Sequence, residues 1–190
     1  MKAFYFSWVF YFGTILMLQT DRLHLIPFSE GEAKLLHQIF TDPHVREYLW
    51  DNEVISPEAA SEILQVHLML FEKKRWGLWR IVSLADKTTM GFVGLWYFFE
   101  EPLPQLIYGL LPPFVGKGFA TEAAGRIISY AFQELNFPHI VAAMDAPHLA
   151  SQAVAKRLSM SKVEEKEIDG RLTVFFRIDH PGAIVENYSK

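Results

Sequence analysis

Cysteine is absent from the 190-residue chain. That excludes a disulfide framework, a thiolate metal site and a cysteine nucleophile. Charge of one sign is scarce as well: 18 Lys and Arg stand against 22 Asp and Glu, a formal net of -4. The basic residues are scattered, so the chain lacks the positive stripe that nucleic acid would require. The seven histidines lie far apart and form no H-x-x-x-H pair, so no metal site is expected. Repeats, low-complexity runs and linkers are missing too. What remains is a chain long enough for one domain with a sizeable core.

One apolar run stands out. Ala3 to Leu18 is broken only by Ser7, Gly13 and Thr14, with Lys2 before it and Asp21-Arg22 after it. Residues 1–16 are short of the ~20 needed to span a bilayer as a helix. No small-x-small cleavage site follows, as a cleaved signal peptide would need. Three readings stay open: an extension produced by an upstream start, a membrane-associating segment, or an extra strand or helix packed on the domain. The expected division is therefore an apolar extension (1–16), a domain over 17–180 and a loose tail over 181–190. The expected location is cytoplasmic, or membrane-associated through residues 1–16.

Along the rest of the chain, hydrophobic period and turn residues give the elements. Arg22 to Phe28 reads as a strand ending at Pro27. Ser29 with Glu32 forms a capping-box pattern before Leu35, Leu36 and Ile39. Asp42-Pro43 opens a short helix through Tyr48, and Ser56-Pro57 opens another with Ile63, Leu64, His67, Leu68 and Phe71 on its buried stripe. Gly77–Leu84 and Met90–Phe99 read as a hairpin, followed by a strand over Leu106–Leu111. A helix runs to about Glu134, then a buried strand over His139–Met144 and a helix from Pro147-His148 to Leu158. Asp169-Gly170 turns a last hairpin, Val163–Ile168 with Leu172–Ile178. The order implies an α+β domain on one sheet.

The most informative stretch is Leu110-Leu111-Pro112-Pro113-Phe114-Val115-Gly116-Lys117-Gly118-Phe119-Ala120-Thr121-Glu122-Ala123. Prolines end a strand, glycines permit a tight turn, and Ala120, Ala123, Ala124, Ile127 and Ile128 recur at helical spacing. Free N–H groups and the helix dipole converge at such a turn, and that geometry suits a pyrophosphate. Two glycines before a helix also make an ordinary strand–helix turn.

The string as a whole resembles the acetyl-CoA-binding motif of the GNAT acetyltransferase superfamily. The branch it is similar to is that of the ribosomal-protein N-acetyltransferases, which reads E-I-G-Y-x-L-x-P-x-x-x-G-x-G-x-A-T-E-A. The chain departs at Gln105, where that branch often has Glu, and at Pro113. Met17-Leu18-Gln19-Thr20-Asp21-Arg22-Leu23 looks like the way the branch begins. A second stretch, His148 to Met160, resembles N-x-x-S-x-x-x-x-x-x-L-G-[FM]. Ser151, Leu158 and Met160 match, while His148 stands for Asn and Ser159 for Gly.

The resemblance implies a three-layer α/β/α fold with a mixed, mostly antiparallel sheet that splays between its fourth and fifth strands. It also implies acetyl-CoA as co-substrate, no metal, and transfer of an acetyl group to a primary amine by direct attack in a ternary complex. That amine is a protein N-terminus or a small amine. On this reading Leu110, Leu111, Val115, Gly116, Lys117, Gly118, Phe119, Ala120, Thr121, His148 and Ser151 contact the co-substrate. The backbone N–H of Leu110 or Leu111 serves the oxyanion, and Ser151 serves the leaving thiolate, because Ala155 stands where many members carry tyrosine. Glu101, with Glu100 beside it in the turn upstream, is the candidate base acting through water. The same two residues also read as a solvated turn. His148 also reads as an ordinary helix start, and Ser151 as a hydroxyl bonding its own backbone. Tyr108 is another polar group on the cleft strand, and reads also as packing. The acceptor would lie against the Asp42–Glu53 loop and the last hairpin, whose Asp42, Glu47, Asp51, Glu53, Glu167 and Asp169 would suit a cationic amine; such charge is also the usual composition of exposed loops. The alternative function is an acyl-CoA-binding module that has lost catalysis and acts as a sensor.

Overall fold

Alternation along the central strands decides which side chains face which layer. The computed structural model describes residues 9–12, 15–98 and 102–182. Its elements are β1 (Val9–Phe12), β2 (Ile15–Gln19), β3 (Leu23–Pro27), α1 (Ala33–Phe40), α2 (Pro43–Leu49), α3 (Pro57–Lys74), β4 (Leu78–Ser83) and β5 (Thr89–Trp96). Then come β6 (Gln105–Leu110), a 3-10 turn at Pro112–Phe114, α4 (Phe119–Gln133), β7 (His139–Asp145), α5 (Leu149–Arg157), β8 (Ser161–Ile168) and β9 (Arg171–Asp179).

In β4 and β5, Leu78 and Phe92 point to one face and Trp79, Ile81, Val93 and Leu95 to the other. The first face packs on α1 to α3 through Leu36, Ile39, Phe40, Val45 and Leu64. The second packs on α4 through Ala123, Ala124, Ile127, Tyr130 and Ala131. Helices thus cover both faces of the sheet, which is the α/β/α layering expected. Small alanines on α4 let its backbone approach the sheet, and each large apolar group buried there contributes about 1.5–3 kcal/mol.

The sheet is in two parts. Six strands run in the order β1-β2-β3-β4-β5-β6, and three in the order β7-β9-β8, with every ladder antiparallel. β6 and β7 lie against each other with no ladder between them. Counted from β3, these are the fourth and fifth strands, where the splay was expected.

The boundary expected between residues 16 and 17 falls inside β2, which pairs with both β1 and β3. Leu16 and Leu18 are buried in the main core, and the Trp79 indole Nε1 donates to the Leu16 carbonyl at 3.3 Å. The apolar run therefore supplies sheet edge and core over its described part, and residues 1–8 lie outside the described residues. The tail from residue 183 onward lies outside them too. Among the described residues no helix is long and apolar enough to cross a membrane. The capping box is half made: the Ser29 N–H donates to Glu32 Oε2 at 2.7 Å, but the helix starts only at Ala33. Glu32 is drawn instead to Arg80, 3.2 Å away on β4.

The other ends follow local chemistry. Ser56 Oγ accepts from the Ala59 N–H at 3.1 Å, with Pro57 at the first position of α3. Asp169 and Gly170 have φ of 51° and 78°, as a two-residue hairpin turn requires.

His67 on α3 is fully buried and holds the helix layer to the sheet. Its Nε2 donates to the Phe28 carbonyl at 2.7 Å and its Nδ1 accepts from the Leu78 N–H at 2.9 Å. Both nitrogens are thus used in the neutral ring, and burial pushes the pKa down to about 4. The unfolded chain titrates near 6.5, so unfolding takes up a proton between pH 4 and 6.5. Stability should fall as pH drops through that window, by at most about 3 kcal/mol. Urea unfolding at pH 7 and pH 5 reads this directly, and His67→Gln should flatten the acid limb while lowering stability at pH 7.

Candidate active site

Where β6 and β7 part, a cavity of about 960 Å³ opens. One end is the turn after β6. Leu111 and Val115 are extended and flank the 3-10 turn. Gly116 and Gly118 then take φ of 76° and 82°, a left-handed conformation that costs other residues strain. Gly118 is the N-cap of the 15-residue α4. A Cβ at Gly116 would meet nothing within 4 Å, so backbone is exposed to the cavity there. Val115, Gly116, Gly118, Ala120 and Thr121 line the space. The orphan N–H groups of the helix start and its dipole make this end fit a phosphate group.

A clamp fixes that turn. Glu122, in the first turn of α4, accepts from four donors. They are Thr20 Oγ1 at 2.6 Å, the Arg22 backbone N–H at 3.0 Å, and Arg22 Nε and Nη2, each at 2.6 Å. Arg22 Nη1 also donates to the Lys117 carbonyl at 3.2 Å, and its guanidinium lies 4.4 Å above the Phe119 ring. Lys117 and Phe119 thus belong to the clamp. Neither lines the cavity, and neither does Leu111.

At the waist of the cavity, β6 faces α5. The Leu111 N–H donates to the Met90 carbonyl at 2.9 Å, so it is committed to the sheet. The register pairs Leu110 with Gly91 and Gly109 with Phe92. Antiparallel pairs alternate, so the Leu110 and Tyr108 N–H groups point away from β5, toward the gap. Of the two N–H groups expected from the sequence as oxyanion donors, Leu110 points its N–H into the gap and Leu111 does not. The Tyr108 hydroxyl crosses to α5, 2.7 Å from Ser151 Oγ, where either oxygen can donate, and 3.2 Å from the Ser151 carbonyl. Burial pushes the Tyr108 pKa up to about 12, against the lowering effect of Ser151. Ser151 is only 8% exposed.

The far end is walled by α2, the start of α5 and the β8–β9 hairpin. The His148 and Tyr48 rings stack with centroids 3.9 Å apart and planes within 3°. Burial holds the His148 pKa below its ordinary value, against the pull of Glu47 and with the push of His44; Asp145 also opposes the drop. The Tyr48 pKa is raised by burial and by Glu47. Arg171 bridges Asp51 at 2.8 Å and Asp145 at 3.3 Å. Asp42 is spent as a cap, accepting from the His44 N–H at 2.9 Å. Gln105 lines the same cavity and is 1% exposed. Its Nε2 donates to the Phe98 carbonyl at 3.4 Å, and its Oε1 has no partner among the described residues. Glu100 and Glu101 lie outside the described residues. Among the described residues no group of three His, Cys, Asp or Glu is placed to hold a metal.

A family model for the acetyltransferase (GNAT) domain matches residues 22–161. The chain belongs to the GNAT acetyltransferase family. Curated relatives carry related names. An uncharacterized N-acetyltransferase, YoaA of Bacillus subtilis, is 25% identical over 147 residues, covering 77% of this chain and 83% of that protein. An FsC-acetyl coenzyme A-N(2)-transacetylase of Aspergillus fumigatus is 27% identical over 184 residues, covering 89% and 72%. Among solved structures, an acetyltransferase from Agrobacterium tumefaciens superposes with a TM-score of 0.74 at 21% identity, covering 94% of this chain and 98% of that one. The ribosomal L7/L12 alpha-N-protein acetyltransferase RimL, solved in complex with coenzyme A, gives 0.71 at 17%, covering 84% and 95%. The GNAT chain is thus an acyltransferase of the fold its sequence implied.

Of the sequence-derived positions, the cavity brings together Leu110, Val115, Gly116, Gly118, Ala120, Thr121, His148 and Ser151. Sequence reasoning missed Arg22 as a clamp, Tyr48 as a wall and Tyr108 as the partner of Ser151. The signals were present: Arg22 sits in the Thr20-Asp21-Arg22-Leu23 start and Tyr108 in the first signature. Glu122→Ala strips four donors of their acceptor, and about 1–3 kcal/mol of stability should go with it. Amide exchange at Gly116 to Ala120 should speed up in that variant, measured by deuterium uptake of the peptide spanning the turn.

Proposed function

We propose that the chain is an acetyl-CoA-dependent N-acetyltransferase acting on a primary amine by direct attack within a ternary complex. The observation that carries this reading is the arrangement of one cavity. A phosphate-suited turn lies at one end, the Tyr108–Ser151 pair at the waist, and an acid- and histidine-lined chamber at the other end. Backbone N–H groups of the turn receive the pyrophosphate. Leu110 offers its N–H to the oxygen of the thioester carbonyl as charge develops, a kind of contact worth about 2.7–4 kcal/mol where it has been deleted elsewhere. Holding both reactants in one geometry supplies several kcal/mol more.

Magnitudes assign the roles of Tyr108 and Ser151. An ordinary thiol has a pKa of about 8.5. A phenol held at about 12 is too weak an acid to give its proton outright to such a thiolate. It remains a hydrogen-bond donor throughout. When Tyr108 donates to Ser151 Oγ, the serine O–H is free to turn to the leaving sulfur. The pair thus stabilises the thiolate by hydrogen bonding. The acceptor is a protein N-terminus or a small amine. RimL supports the first option by its name, and the fungal relative keeps both open. Asp169 and the charged chamber wall suit a cationic approach.

The reading is tested by calorimetric binding of acetyl-CoA and thiol release with amines and N-terminal peptides. Binding with release is expected. Tyr108→Phe should lower kcat about 10- to 100-fold, the value of a hydrogen bond to a charged group, while acetyl-CoA affinity stays within a few fold. Binding without release to any amine would instead favour the sensor reading, which the buried Gln105 at the acceptor end supports.

A further inference from the structure

Amine acetylation needs a group that accepts a proton, and the described chamber offers few. Gln105 is an amide and cannot. Glu122 is saturated by four donors. Asp51 and Asp145 are both tied to Arg171. Tyr108 is committed to Ser151 and stays protonated. Asp169 sits at the tip of the β8–β9 turn. His44 is exposed in the first turn of α2. Among the described residues, His148 alone combines a place in the cavity wall, a ring fixed by stacking, and a position one helical turn before Ser151.

Resting on the transferase reading above, we propose that His148 is the proton acceptor of the reaction and that Gln105 Oε1 orients the attacking nitrogen. A primary amine turning into an amide passes through a nitrogen with two N–H bonds. One is directed to the orphaned Gln105 carbonyl, and the other is given to the His148 imidazole. The N–C bond forms, the C–S bond breaks, and the proton on His148 passes to the departing thiolate or to water. Amine plus thioester gives amide plus thiol, with no further reactant.

The surroundings of His148 suit that cycle. Tyr48, Glu47 and His44 face it from α2, and Asp145 faces it from the end of β7. Burial, with His44 nearby, keeps the resting ring neutral, as a base must be. Glu47 and Asp145 then favour the imidazolium once the proton arrives. Arg171 also faces this group of charges, bridging Asp145 at 3.3 Å.

The test separates this from simple binding. His148→Asn keeps a hydrogen-bonding side chain but removes the base. With the full chain, acetyl-CoA affinity by calorimetry should stay within about threefold, while kcat/KM for a peptide with a free α-amine falls about 100-fold or more. Below pH 6.5 the wild-type profile should steepen as His148 protonates on top of the amine itself, and that added steepness should vanish in the variant. Adding Gln105→Glu on that background should restore at least about tenfold, since a carboxylate returns to the chamber. Exogenous imidazole should raise the rate of His148→Ala. His148→Asn turning over within threefold of wild type overturns the proposal and leaves the transferase reading intact. So does a loss of acetyl-CoA affinity with kcat unchanged. A wild-type chain that releases no thiol with any amine overturns both.

Discussion

The gap between β6 and β7 is the constraint on which the rest depends. A strand's outward N–H and C=O groups need partners, and an unpaired edge inside a protein is costly. β6 is bonded to β5 on one side only. Its other side looks into the cavity, and β7 takes its own ladder from β9. The two half-sheets are held together by side chains of the α4 core, with Leu106, Leu110, Ile140 and Met144 in one buried cluster. The cleft is therefore an unfinished sheet kept open by packing, and an extended ligand with amide groups is the natural filler.

Everything at the site follows from where the neighbours of that gap are fixed. The turn before α4 depends on Glu122, which accepts from Arg22 just ahead of β3 and so ties the interior of the larger half-sheet to the start of α4. The waist depends on Tyr108 bridging to α5 across the gap. The far end of the cavity depends on α2, whose Tyr48 stacks on His148, and on Arg171, which pins the hairpin to the α2 side through Asp51. The last two devices join the part of the chain before the gap to the part after it.

Local signals in the chain made most of this legible. Pro112-Pro113, Gly116 and Gly118 dictate a strand stop and a left-handed turn by sterics alone. Asp169-Gly170 fixes the last hairpin register for the same reason. The long-range pairings were not legible. Nothing in the sequence near Leu111 shows that the Met90 carbonyl takes its N–H, while the alternation of the ladder leaves Leu110 free. Tyr108 reads as packing until Ser151, on another element, is found 2.7 Å away. The apolar run before residue 17 was ambiguous because a short buried edge strand and a membrane-seeking segment share one composition. Only the pairing of β1 with β2 and the burial of Leu16 distinguish its described part.

The central claim is that the β6–β7 gap holds the acyl-CoA arm, in line with the turn at Gly116. A crystal structure of the chain soaked or grown with coenzyme A tests it most directly. The account requires the pyrophosphate on the N–H groups of residues 116–120. It also requires the arm's amides on the outward groups of β6, with the sulfur beside Ser151. Coenzyme A bound elsewhere, or a closed gap in which β6 and β7 pair directly, would contradict it.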